Sequence, residues 1–71
     1  MTDDKNALLQ QAEAARDELN AALTAAGVVL PSLGVDVLSY ADQHPLVLVE
    51  LGRCNVPTAK ALAAALRAGA T

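Results

Sequence analysis

Between Asp3 and Ala26 the apolar residues Leu8, Ala12, Ala15, Leu19, Leu23 and Ala26 recur at steps of four, three, four, four and three. That spacing lays them along one side of a 3.6-residue helix and leaves Gln10, Glu13, Asp17, Asn20 and Thr24 on the other. Thr2 or Asp3 can cap its start, Asp4 complements the positive end of the helix dipole, and Gly27 suits the left-handed residue that closes it.

After Gly27 the period changes. Val28 to Val35 is β-branched but interrupted by Pro31 and Gly34, which reads as an edge strand, because Pro31 cannot donate to a ladder. Asp36 to Gln43 has room for one helical turn capped by Asp36, or for a loop closed by His44-Pro45. Leu46 to Leu51 is a six-residue apolar run between Pro45 and Gly52, the length and valine content of a strand buried on both faces. Asn55 then caps a helix over about Val56 to Ala68, with Pro57 in its first turn and Gly69 past its end. Its inner face is expected to carry Val56, Ala59, Leu62, Ala63 and Leu66, while Lys60 and Arg67 face solvent.

These elements predict an α+β fold in the order helix, strand, strand, helix: two helices packed on a two-stranded antiparallel sheet, in one domain over residues 1–71. The strand over Leu46–Leu51 should pair with part of Val28–Val35. Val47, Val49 and Leu51 then share one face, and Leu46, Leu48 and Glu50 the other. The alternative is an all-α chain with a helix-turn-helix at 46–68, in which Leu46–Leu51 forms the first helix and Val56–Arg67 the second.

Composition sharpens the picture of the core. Apolar residues make up 54% of the 71, yet they are mostly Ala, Leu and Val, and Tyr40 is the sole aromatic. Alanine buries little area, so the hydrophobic return per ordered residue is low and self-association would relieve a marginal monomer. The first helix, roughly 35 Å long at 1.5 Å per residue, exceeds what a short hairpin and a second helix of about 18 Å can cover. Leu8, Leu9, Ala12, Ala15 and Leu19 are therefore the candidate partner-binding residues, and a two-fold homodimer is the expected assembly. The partner is itself or another protein.

Charge bears on the partner. The net charge of −3 conceals −6 over residues 1–50 and +3 over residues 51–71, where Arg53, Lys60 and Arg67 form a candidate basic contact surface. A recognition helix needs groups that reach base edges, and after Thr58 and Lys60 this one runs into Ala and Leu. With five basic residues in the chain, nucleic acid is disfavoured as a partner. Met1 to Lys5 is acidic and polar where a signal peptide would be basic and then apolar, and no apolar run approaches 18 residues. A cytoplasmic location without membrane contact is expected.

Few residues offer chemistry. Cys54 lies between Arg53 and the start of the last helix, but a nucleophile needs a base, and nothing in the sequence brings the single histidine, His44, to it. One Cys and one His cannot complete a structural zinc shell, and the glycines at 27, 34, 52 and 69 form no phosphate loop. No catalytic residue, cofactor or metal is predicted. Leu30-Pro31-Ser32-Leu33-Gly34, followed by Leu48-Val49-Glu50-Leu51-Gly52-Arg53-Cys54 and an Ala/Leu helix, resembles short uncharacterised actinobacterial proteins over about Arg16 to Arg67. That resemblance implies a bacterial cytoplasmic origin and brings no activity with it. The expected function is a non-enzymatic protein–protein interaction module, a homodimeric accessory or regulatory protein. The alternatives are a small DNA-binding transcriptional regulator using residues 46–68 and a thiol-dependent redox sensor through Cys54.

Overall fold

The first helix, α1 (Asp3–Ala25), ends by a mechanism visible in its hydrogen bonds. The Val28 N–H reaches back to the Leu23 carbonyl at 2.8 Å and the Gly27 N–H to the Thr24 carbonyl at 3.0 Å, while Gly27 takes φ +77°. This paired closure satisfies two carbonyls that the helix end would otherwise leave open, and it needs a residue that tolerates the left-handed region. It also turns Val28 back toward Leu23. Those two side chains and Ala12 are the buried apolar residues among those described. The core is as thin as the composition implies.

The structure is a computed structural model that describes residues 3–36, 39 and 46–69. The expected cap at Thr2, the helical turn or loop between Asp36 and Pro45 with the exception of Ser39, and the chain end at 70–71 lie outside the described residues.

Two short strands follow α1: β1 (Gly34–Val35) and β2 (Val49–Glu50), paired antiparallel with Gly34 opposite Glu50 and Val35 opposite Val49. The chain closes with α2 (Val56–Gly69), so the helix–strand–strand–helix α+β order holds. The all-α alternative does not, because β2 stands inside the segment that would have been the first helix of a helix-turn-helix.

The strands are much shorter than the apolar runs predict, and each limit has a local cause. Leu30 to Leu33 is a turn in which the Leu33 N–H donates to the Leu30 carbonyl at 3.3 Å, so Pro31 serves as the second turn residue, where its fixed φ is favourable, and not as an edge-strand residue. On the other side, the Asp36 N–H donates to the Leu48 carbonyl at 2.8 Å and extends the ladder by one bond. There it stops, because the Leu48 N–H is taken by the Ser39 hydroxyl at 2.9 Å. Gly52, at φ +77°, turns the chain away after β2.

Side-chain alternation along 46–50 follows the prediction. Val47 and Val49 are half-buried, whereas Leu46, Leu48 and Glu50 are exposed. Leu51 departs from it and is exposed, since the turn at Gly52 ends the pleat.

Helix α1 packs on this sheet, and its covered face carries Leu8, Leu9, Ala12, Arg16, Leu19 and Leu23. Ala15 and Ala26, expected on that face, are exposed. The covered face is turned slightly toward Arg16. Helix α2 differs: none of its residues is buried. Thr58, Leu62, Ala63 and Ala65 are half-buried, but Val56, Ala59 and Leu66 of the expected inner face are exposed. The second helix thus covers only part of its own apolar surface.

Candidate functional site

Ser39 is a buried polar residue that joins several parts of the chain. It is 4% exposed, its hydroxyl donates to the Asp36 carbonyl at 2.7 Å, and the same oxygen accepts from the Leu48 N–H. Its own carbonyl accepts a bond from Lys5 Nζ at 3.1 Å. One small residue therefore ties α1 and both sides of the sheet together. Nothing in the sequence marks it, because a lone serine between apolar residues has no pattern. Its role is architectural.

The residues expected to carry chemistry are scattered. Cys54 is an exposed free thiol, so it is not part of a core. His44 lies outside the described residues. Among the described residues no three His, Cys, Asp or Glu side chains converge in a way that could hold a metal ion. A shallow groove of about 380 Å³ runs beside Ala15, Glu18, Leu19 and Ala22 on α1, with one charged group on its wall. Arg53, Lys60 and Arg67 are all exposed, the first in the turn before α2 and the others on α2. None of the helices in the described residues is long and apolar enough to cross a membrane.

The expected partner-binding patch on α1 is differently placed from its sequence reading. Ala12 is 6% exposed, covered by the chain itself, and Leu8, Leu9 and Leu19 are half-buried. Ala15 alone of that set is exposed. The premise that the first half of α1 stands uncovered is corrected: α1 packs on the sheet, and Leu8, Leu9 and Ala12 are wholly or partly covered within the chain.

The uncovered apolar surface is elsewhere. Leu46, Leu48 and Leu51 are exposed in and beside β2, and Val56 and Leu66 are 68% and 66% exposed on α2. The cause lies in the layering. A strand whose side chains are apolar on both sides calls for two covering layers, and here α1 packs on the sheet while no residue of α2 is buried and four are half-buried. The segment before α2 is nevertheless well ordered by local bonds: the Gly52 N–H donates to Glu50 Oε1 at 3.1 Å, and the Thr58 N–H donates to Asn55 Oδ1 at 2.9 Å as the predicted N-cap. An ordered helix presenting large apolar side chains to solvent has the character of an interaction surface. Protein-family models, curated proteins and solved structures offer no match to the chain.

Proposed function

We propose that this protein is a non-enzymatic protein–protein interaction module that works as a homodimer in an accessory or regulatory role. One observation carries the reading: the chain exposes 5363 Å² at a mass of 7.3 kDa, where a compact monomer of that mass exposes about 4,200 Å². The surplus of roughly 1,200 Å² exceeds the ~800 Å² that each partner contributes to a standard stable interface. The radius of gyration agrees, at 14.2 Å against about 11 Å for a compact chain of this length. A thin core of small side chains leaves such a monomer marginal, and a partner that buries the exposed leucines and valines contributes what the core lacks.

A second copy is the simplest occupant, because a two-fold contact needs only one surface that is complementary to itself. Static light scattering at tens of micromolar tests this. About twice the 7.3 kDa chain mass is expected. The chain mass itself across that range would contradict the dimer.

A further inference from the structure

Helix α2 carries an exposed apolar seam whose spacing is symmetric about its own midpoint. Val56, Ala59, Ala63 and Leu66 follow one another at steps of three, four and three, the spacing of a seam between paired helices. Val56, Ala59 and Leu66 are exposed and Ala63 half-buried, while Thr58, Leu62 and Ala65 on the neighbouring face are the residues partly covered by the rest of the chain. The seam is therefore beside the intramolecular contact and shares only Ala63 with it.

Resting on the dimer reading above, we infer that two copies associate by packing α2 against α2, antiparallel, across this seam. Antiparallel pairing places Val56 opposite Leu66 of the second copy and Ala59 opposite Ala63 of the second copy. Both pairs are centred on Ala61, so one two-fold axis satisfies all four contacts at once. The large side chains meet at the ends and the small ones in the middle, where alanines let helix axes approach to about 8 Å. The two helix dipoles oppose each other, which is their favourable arrangement side by side. A parallel pairing would set Val56 against Val56 and Leu66 against Leu66 and align the dipoles unfavourably.

Charge gives this geometry a signature. Lys60 and Arg67 flank the seam, and α2 contains no acidic residue, so pairing brings four cations along one contact. Salt screens their repulsion, since the Debye length falls from about 8 Å at physiological ionic strength to about 3 Å at 1 M. The α2 pair therefore tightens as salt rises. A contact between the acidic first half of one chain and the basic last third of another would loosen instead.

Disulfide trapping tests the inference. In a Cys54→Ser background, chains carrying Ala59→Cys are mixed with chains carrying Ala63→Cys and oxidised with diamide. The mixed 59–63 disulfide should dominate, because those positions face each other, whereas 59–59 and 63–63 are displaced by four residues, about 6 Å along the axis. Equal or greater yields of the like pairs would overturn the antiparallel seam. Alongside, Leu66→Glu should weaken association at least tenfold while Val29→Glu, 71% exposed and outside the α2 sequence, leaves it unchanged. A wild-type dimer indifferent to Leu66→Glu would overturn the seam and leave the dimer standing; a wild-type monomer would overturn both.

Discussion

Gly52 and Ser32 touch so closely that a β-carbon on Gly52 would overlap the Ser32 β-carbon and sit 3.1 Å from the Ser32 backbone carbon and oxygen. The turn before β1 and the turn after β2 are thus packed backbone against backbone. Gly52 also has φ +77°, so both its missing side chain and its conformation are used. Gly27 shares the φ but has open space around it. Gly52→Ala should cost roughly 3 kcal/mol or more, the left-handed penalty plus a clash that backbone atoms cannot relieve. Gly27→Ala should cost about 1–2 kcal/mol, from conformation alone. Urea unfolding of the two variants checks the difference, and equal losses would mean that the Ser32 contact is dispensable.

Ser39→Ala removes a donor to the Asp36 carbonyl and the acceptor of the Leu48 N–H in a residue that is almost fully covered. Leaving those groups without partners costs about 1–3 kcal/mol. The expected outcome is a lowered urea midpoint with an unchanged slope. Ser39→Thr keeps the hydroxyl and should recover part of the loss.

Asn55 caps α2 through the Thr58 N–H. Asn55→Ala should lower stability by about 1 kcal/mol and reduce the helical circular dichroism signal, while Asn55→Asp or Asn55→Ser retains both. Because none of α2's own residues is buried within its chain, the loss of its cap should also weaken association. Unchanged helicity in Asn55→Ala would show that α2 is held by something other than its N-cap.

The order of elements was legible from periodicity alone, since the 3.6-residue stripe from Leu8 to Leu23 and the Asn55 cap are local signals that tertiary contacts did not override. Val47 and Val49 also fell on the covered side, as alternation requires. Strand length was not legible. It depends on the Ser39 hydroxyl, nine residues away, taking the Leu48 N–H, and on the local turn from Leu30 to Leu33, which competes with strand for an apolar run that suits either. The location of the uncovered surface was not legible either, for a related reason. Helix lengths showed that apolar area must be left over, but only the packing of the sheet on α1 reveals that Ala12 is covered and that Val56 and Leu66 are not.

Duplex DNA should not bind appreciably at physiological salt. Arg53, Lys60 and Arg67 are exposed within the basic last third, and three cations per chain give a small counterion-release term in a chain of net charge −3. A gel-shift titration checks this. A salt-sensitive shift abolished by Lys60→Ala would contradict it and return nucleic acid to the partners considered.

The proposed dimer requires that a second copy cover the apolar surface that one chain leaves open on α2. Amide hydrogen exchange, measured at high and low chain concentration, reads that covering residue by residue, because an opening coupled to dissociation becomes rarer as association increases. Amides of α2 within Val56–Gly69 should exchange more slowly at hundreds of micromolar than at one micromolar, and Leu66→Glu should abolish the difference. Exchange in α2 that is independent of concentration would contradict the account.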